Sequence, residues 1–227
     1  REAHDVIYTL AGPEIAVAST KAYVTQLVAF YILGLYFASL KETVSEEYVE
    51  EIKKELLAIP EKIEAVLENQ EGVKKHAAEN YEQRDIYFLG RGVDYAVALE
   101  GSLKLKEISY IHCDAYAGGE LKHGPIALID KGTAVITLLT QEALKDKMVS
   151  NVREVSTRGG NIFAIANQGD EIAKTVAEEV VYIPKTVDLL TPLVSVVPLQ
   201  LLSYYVAKNK GCDVDKPRNL AKSVTVE

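Results

Sequence analysis

Asp85-Ile-Tyr-Phe-Leu-Gly-Arg-Gly-Val-Asp94 passes from a short apolar run into a turn that contains two glycines. Ile86–Leu89 is uncharged and holds Ile, Tyr and Phe, residue types favoured in strands, so a buried strand is predicted there. Gly90-Arg91-Gly92 then turns the chain into a predicted helix from about Asp94 to Tyr110. A strand that leads into a helix through a glycine-rich turn is typical of parallel α/β sheets, in which ligands bind at the carboxyl ends of the strands.

The alternation of strands and helices continues downstream of this turn. Strands are predicted at Thr133–Leu139, Asn161–Ala166 and Val180–Ile183, and helices at Glu142–Thr157, Asp170–Glu178 and Leu189–Lys208. Cys113–Pro125, between the first helix and the second strand, is rich in small residues and is predicted to be a loop. The pattern predicts an α/β fold of flavodoxin-like type, a three-layer αβα sandwich with a parallel sheet.

The residues before Asp85 are predicted to be mainly helical. Asp5–Thr9 is a short strand candidate, and Ser19 or Thr20 is placed to cap a helix that runs to about Leu40. Two more helices are predicted, Glu46–Glu68 with Pro60 as a break or kink, and Glu71–Gln83.

The composition excludes several classes of protein. Apolar residues make up 48% of the 227 residues, enough for a buried core. With 25 basic and 33 acidic residues the net charge is −8, which argues against nucleic acid or an anionic membrane as a partner but not against a small anionic substrate. Cys113 and Cys212 are not spaced as a disulfide framework or a zinc site, which favours a reducing cytoplasm.

Two uncharged runs, Ala22–Leu40 and Leu189–Ala207, are each 19 residues long, which is close to the length of a membrane span. Both contain polar residues, the second also contains Pro192 and Pro198, and neither has a basic cluster on one flank. We therefore expect both runs to be buried core helices and expect no membrane partner.

Glu100-Gly-Ser-Leu-Lys-Leu-Lys-Glu107 lies within the helix predicted after the glycine turn. Glu100, Lys104 and Glu107 are spaced i, i+4 and i+7, so at about 100° per residue they fall on one face. The spacing alone favours a solvated face with ion pairs. The glycine-rich strand end and the apolar remainder of the helix favour a cleft, in which two acids and an amine shift one another's pKa values and support proton transfer.

Two other segments carry candidate groups. His123 lies in a glycine-containing loop, where a lone histidine is most often structural or exposed, although loops carry catalytic groups disproportionately. Four histidines without metal-ligand spacing argue against a metal site. The polar tail would ordinarily fray, but its Val, Leu and Pro residues allow it to fold back and deliver Lys222 or Arg218 into a site.

Three separated segments, within residues 17–23, 100–125 and 213–227, resemble one family. Glu100–His112 and Ala115–Pro125 closely resemble the signature of the glucosamine-6-phosphate synthases, the glutamine–fructose-6-phosphate aminotransferases. Asp213–Glu227 is similar to that family's C-terminal loop, and Val17–Tyr23 resembles a segment near the end of its first sugar isomerase (SIS) domain. The resemblance runs along the full chain. It implies an aminotransferase and aldose–ketose isomerase that makes glucosamine 6-phosphate and glutamate from fructose 6-phosphate and glutamine, with no redox or metal cofactor.

The resemblance also implies a division of the chain. The family's isomerase half has two SIS domains, each a parallel αβα sandwich. Residues 1–40 correspond to the end of the first domain, 41–76 to connecting helices, 77–210 to the second domain, and 211–227 to a C-terminal active-site loop.

Residue by residue, the resemblance assigns roles to eight positions. Glu107 matches the acid–base residue that moves a proton between C1 and C2, and Lys222 matches the amine that forms a Schiff base with the open-chain ketose. His123 matches the group that opens the sugar ring and reaches the site of a neighbouring subunit, so a homodimer is expected. Lys104 matches an assisting lysine, and the substrate-binding positions are Glu100, Val17, Arg218 and Ala221.

Two parts of the family pattern have no counterpart in these residues, namely the glutaminase domain with its catalytic cysteine and the Ser/Thr-rich loop that holds the sugar phosphate. Gly90-Arg91-Gly92 occupies the equivalent place in the second domain but offers no hydroxyl groups. We therefore expect the chain alone to bind substrate poorly and to be inactive.

Two alternatives stay open. A SIS-type regulatory module would bind a sugar phosphate without turnover, and the presence of Lys222 and Glu107 argues against it. A fructosamine deglycase-like enzyme would be distinguished by the sequence upstream, since it would lack the glutaminase domain.

Overall fold

The computed structural model describes residues 3–223. Three helices come first, α1 (Lys21–Leu40), α2 (Glu46–Glu68) and α3 (Glu71–Asn80). They are followed by β1 (Asp85–Gly90), α4 (Val93–Ser109), β2 (His112–Ala117), β3 (Ala134–Leu139), α5 (Lys145–Ser156), β4 (Asn161–Asn167), β5 (Glu179–Ile183) and α6 (Thr191–Asn209). Five short 3-10 turns lie at Leu121–His123, Pro125–Leu128, Glu142–Leu144, Ala173–Thr175 and Asp188–Leu190.

The five strands form one parallel sheet in the order β2-β1-β3-β4-β5. All six residues of the central strand β3 are buried, as expected for a parallel sheet covered on both faces. On β1, β3 and β4, Phe88, Ile136 and Phe163 pack with α3, α4 and α6 on one face. Their neighbours Leu89, Val135 and Ile162 pack with α5 on the other face. The predicted three-layer αβα sandwich is therefore confirmed.

Helix α2 departs from its prediction at Pro60. The helix begins after Ser45, whose side chain accepts a hydrogen bond from the Tyr48 N–H, and continues through Pro60 without a break. Ile52, Ile59 and Val66 face the core at helical spacing. The predicted bounds Glu46–Glu68 are therefore confirmed, and the predicted break at Pro60 does not occur, because burial of this apolar stripe on both sides of the proline holds the helix together.

Three other local predictions are wrong. Asp5–Thr9 is not a strand, since no neighbouring strand within the described residues pairs with it. Cys113–Pro125 is not all loop, because its beginning belongs to β2, an edge strand that hydrogen-bonds to β1. The predicted helix Asp170–Glu178 is only the short turn Ala173–Thr175, since Asp170 caps that turn through the N–H groups of Ile172 and Ala173.

The two long apolar runs differ in their burial. Lys21–Leu40 and Asp188–Asn209 are both long and apolar enough to cross a membrane by length and composition. The second is 72% buried over its most apolar window, as expected for a core helix. The first has no buried residue, so its predicted burial is wrong: one side packs on the core through Tyr23, Leu27 and Tyr31, and the other lies open.

Candidate active site

Helix α4 starts directly at the end of β1, in the central part of the sheet. Its N-cap, Gly92, has φ 57° and ψ −128°, a conformation that favours glycine and lets the chain turn sharply from strand to helix. The helix packs against both the sheet and α6, and Glu100, Lys104 and Glu107 lie between its middle and its last turn.

The three charged side chains on α4 form one cluster that is largely withdrawn from solvent. Nζ of Lys104 lies 2.7 Å from Oε2 of Glu107 and 3.5 Å from Oε1 of Glu100. Lys104 is only 5% exposed, and its two partners keep 13% and 21% of their side-chain surfaces exposed. The spacing prediction of a shared face is confirmed, but the face is buried and is not the solvated one that spacing alone favours.

The carboxylates of this cluster are placed for proton chemistry. Burial raises the pKa of Glu100, with the charge of Lys104 opposing the rise and that of Glu107 adding to it. Oε2 of Glu107 is close to the Lys104 ammonium but at an angle unsuited to a hydrogen bond. This oxygen is buried and accepts no hydrogen bond from the described residues, so its ion pair with Lys104 is its polar contact there.

Lys222 is held at the start of α1. Its Nζ donates to Oε2 of Glu14 at 2.6 Å and to the carbonyl oxygen of Ala16 at 2.9 Å. The Lys222 side chain is 44% exposed, whereas that of Glu14 is 9% exposed. Lys222 therefore sits at the edge of the structure as an ammonium paired with a buried carboxylate, and it is not in contact with Glu107.

Glu14 was not singled out from the sequence, yet it caps α1. Its Oε1 accepts hydrogen bonds from the N–H groups of Thr20 and Ala22 at 2.8 and 3.3 Å, so the predicted side-chain cap by Ser19 or Thr20 is wrong. Burial opposes ionisation of Glu14, but these bonds and the one from Lys222 outweigh it and lower the pKa of Glu14 to about 2. Glu14 lies several residues before the first residue of α1. A search that considers only the residue directly before a helix therefore does not find this cap.

A cleft of about 140 Å³ lies between the charged cluster on α4 and the segment before α1. Lys104 lines it together with Ala16, whose carbonyl oxygen binds Lys222. Ser203 and Tyr204 of α6 and Val214 and Asp215 of the tail complete much of its wall. The cleft is thus bounded by α4, α6, the segment before α1 and the C-terminal tail.

The tail is fixed to the rest of the structure at two further points. The Val17 N–H donates to the carbonyl oxygen of Asp215 at 3.0 Å, which ties the tail to the segment before α1. Arg218 packs over the ring of Tyr110, with its Cζ 4.2 Å from the ring centroid. Ala221 is exposed between these contacts and Lys222. Residues 224–227 of the predicted loop lie outside the described residues.

His123 lies apart from the cluster. It is the exposed last residue of the turn Leu121–His123 that follows β2, and Gly124 after it has φ 154°. Its side chain makes no ion pair or hydrogen bond with Glu107, Lys104 or Lys222 within residues 3–223. Of the eight predicted positions, Lys104 lines the cleft, and Glu107 pairs with it. Val17, Arg218, Ala221 and Lys222 lie in the tail or in the segment that binds the tail, His123 lies outside, and Glu100 lies on the outer side of the cluster with Tyr23.

The crevice at the carboxyl ends of β1 and β3 is filled by the protein itself. Asp94, in the first turn of α4, is 3% exposed and accepts hydrogen bonds from the N–H and the hydroxyl of Thr140. Burial raises the pKa of Asp94, although those hydrogen bonds oppose the rise. A buried carboxyl group at this place makes Gly90-Arg91-Gly92 a poor phosphate site, in accord with its lack of hydroxyl groups.

The fold and the charged cleft together define a sugar isomerase type of α/β domain. A family model described as the SIS domain matches residues 81–209, more than half of the chain, and the chain belongs to that family.

Within it, the chain is similar to particular enzymes. It is 65% identical over its whole length to a glutamine–fructose-6-phosphate aminotransferase (isomerizing) of Clostridium tetani, and 64% identical to that of Clostridium perfringens. The chain spans 37% and 38% of the lengths of these relatives. A solved C-terminal domain of glucosamine-fructose-6-phosphate aminotransferase from Francisella tularensis superposes with a TM-score of 0.86 at 40% identity, over 92% of this chain and 59% of that one. The resemblance found in the three sequence segments is therefore confirmed.

Proposed function

We propose that the chain is the isomerase part of a glutamine–fructose-6-phosphate aminotransferase, which converts fructose 6-phosphate and glutamine-derived ammonia into glucosamine 6-phosphate. The observation that carries the proposal is the buried Glu100–Lys104–Glu107 cluster, because its Lys104 lines a cleft that is also lined by Ala16, whose carbonyl oxygen binds Lys222. The names of the relatives support the same assignment.

The chemistry proposed for this site requires an amine and a carboxylate. The amine of Lys222 condenses with the ketose carbonyl at C2 and releases water to form an iminium. Ammonia then displaces the lysine amine at the same carbon, and the resulting ammonia-derived iminium acidifies the C–H at C1. Glu107 then moves the proton between C1 and C2, using the carboxylate oxygen that accepts no hydrogen bond from the described residues. Lys222 must first leave Glu14 or transfer a proton to it, because only the neutral amine attacks.

The other positions have supporting roles in the proposal. Lys104 balances the charge of Glu107 and holds it at 2.7 Å. His123, exposed on its turn, opens the sugar ring in the site of a neighbouring subunit, which requires a homodimer. The substrate contacts are assigned to Glu100, Val17, Arg218 and Ala221.

We also propose a domain division and a location for the whole protein. Residues 1–40 are the C-terminal end of a first SIS domain, and residues 41–76 are helices that connect it to the second. Residues 77–210 form the second SIS domain, and residues 211–227 form the C-terminal active-site loop. The match of the SIS family model to residues 81–209 supports the range 77–210 proposed for the second SIS domain. The cytoplasm is the proposed compartment, since the two cysteines are unpaired and Cys113 is buried.

The test is reductive trapping in the longer protein that contains this chain. Incubation with fructose 6-phosphate and borohydride should leave a covalent adduct on the peptide that carries Lys222. Lys222→Arg should abolish both the adduct and isomerisation, because arginine stays protonated and cannot form the iminium. Glu107→Gln should keep the adduct and lose about 10²–10⁴-fold in rate, as is typical when general acid–base catalysis is removed.

The same variants decide between the candidate functions. An active Lys222→Arg protein without an adduct would show that the amine is another residue. A regulatory module would bind fructose 6-phosphate without isomerising it, and Glu107→Gln would then change nothing in either assay. A fructosamine deglycase-like enzyme would release ammonia from the amino sugar and would not use glutamine.

A further inference from the structure

Tyr110 has an unusual backbone conformation at the end of α4. It is the first residue after the helix, with φ 62° and ψ 17°, the left-handed conformation in which helices usually place glycine. A bulky side chain is unfavourable there, so the strain must be offset by contacts that the side chain makes.

Those contacts go to one residue of the C-terminal tail. The Tyr110 hydroxyl accepts a hydrogen bond from the backbone N–H of Arg218 at 2.8 Å. The Arg218 guanidinium lies over the same ring, 4.2 Å from its centroid, in a cation–π contact. Pro217, directly before Arg218, is buried. The ring is therefore held at its edge by the backbone and at its face by the side chain of Arg218.

The position of this pair links the two reactive groups. Tyr110 follows Glu107 by three residues, and Arg218 precedes Lys222 by four. The pair thus fixes the segment that carries the amine to the end of the helix that carries the carboxylate. The cation–π contact uses one face of the guanidinium, so the N–H groups at its edge stay available for the substrate contact proposed above.

We propose that Tyr110 is a positioning residue, which acts through Arg218 to place the Lys222 segment against α4. This inference rests on the proposed function for its catalytic meaning. Its structural content, that Tyr110 orders the tail, is independent of any reaction.

Hydrogen exchange of the tail tests that structural content in the chain itself. In Tyr110→Leu, which removes the hydroxyl and the aromatic face, amides of residues 213–221 should exchange about tenfold faster than in the wild type. In Tyr110→Phe, which keeps the ring, only the Arg218 amide should speed up, since it alone loses its acceptor. Tyr182→Leu is the matched control, because the Tyr182 hydroxyl also bonds the backbone, here by donating to the Asp170 carbonyl, and Lys174 lies over its ring. This variant should leave the tail unchanged.

Borohydride trapping in the longer protein tests the catalytic meaning. Tyr110→Leu should lower the yield of the Lys222 adduct, and the conservative Tyr110→Phe should recover most of it. Unchanged tail exchange in a folded Tyr110→Leu protein would overturn the inference. If that variant does not fold, Arg218→Gln removes the same cation–π contact from an exposed position and must give the faster exchange. If the tail of Tyr110→Leu exchanges faster but the wild-type protein gives no Lys222 adduct, Tyr110 still positions the tail and the proposed function is wrong.

Discussion

Glu14, which the sequence did not predict as a site residue, bonds both the start of α1 and Lys222 of the tail. Its carboxylate lies at the N-terminus of α1, where the N–H groups of Thr20 and Ala22 bond it and the helix dipole favours a negative charge. The same carboxylate binds the ammonium of Lys222. One side chain thereby anchors the tail to the helix that precedes the α/β domain.

Glu14→Gln should lower the free energy of unfolding by about 1 kcal/mol, because the amide still accepts hydrogen bonds but loses the charge. Folding lowers the pKa of Glu14 from 4.5 to about 2, so this stabilisation is complete above pH 4.5 and is lost as the pH falls towards about 2. Urea denaturation of both proteins across that range should show their difference shrinking as the pH falls.

Glu47→Gln is the matched control for this measurement. Glu47 is also in the first turn of a helix, α2, but it is fully exposed and has no lysine partner among its described contacts. A pH dependence as large for Glu47→Gln as for Glu14→Gln would mean that the helix terminus alone accounts for the effect and that Lys222 contributes nothing.

At the scale of the elements, the contact between α4 and α6 sets the position of the charged cluster. Gly101 is buried where the two helices meet, next to Leu199 of α6. A Cβ atom at Gly101 would lie 2.5 Å from Cδ1 of Leu199 and 3.1 Å from its Cβ and Cγ. Because Gly101 has no side chain, α6 can approach α4 closely at the position that follows Glu100.

Gly101→Ala should lower the free energy of unfolding by roughly 1–3 kcal/mol, since Leu199 is buried and cannot move aside freely. Gly34→Ala is the control with the opposite expected sign. Gly34 lies in the exposed interior of α1 with no atom within 4 Å of an added Cβ, so alanine should stabilise the protein by about 0.5–1 kcal/mol. Denaturation midpoints that shift in the same direction for both variants would contradict the close approach of α4 and α6.

The elements also show what a sequence can and cannot predict. The apolar run Ile86–Leu89 and its glycine turn are local signals, and they led correctly to β1, α4 and the parallel sheet. Edge strand β2 was missed because its exposed side carries His112 and Asp114, which weaken the apolar pattern. The bond between Glu14 and Lys222 was missed because no local pattern links residues so far apart.

At the scale of the whole molecule, the open side of α1 is an exposed apolar surface. Phe30 is 68% exposed and Phe37 is 55% exposed, and Ile32, Tyr36 and Leu40 beside them are each more than half exposed. The uncharged composition of α1 predicted a buried core helix. Composition alone does not show which side of a helix packs against the core and which side stays exposed. Apolar surface of this kind favours association.

The chain should therefore form a homodimer or larger assembly at micromolar concentration. Replacing both Phe30 and Phe37 by Ser should shift it towards the monomer in light scattering. Leu57→Ser is the control, because Leu57 is an isolated leucine, 82% exposed on α2, and should not change the assembly. A wild-type monomer, or equal effects of the two sets of substitutions, would contradict the role of α1.

The bond between Lys222 and Glu14 joins groups 208 positions apart along the chain. In an unfolded polymer, bringing together two points so distant carries a large loop-closure entropy, which a single ion pair does not offset. The folded sheet and helices between them remove most of that entropy by placing both ends at the same cleft. The amine of Lys222 is consequently held in place by the topology of the entire domain, and the reactivity proposed for it depends on the completed fold.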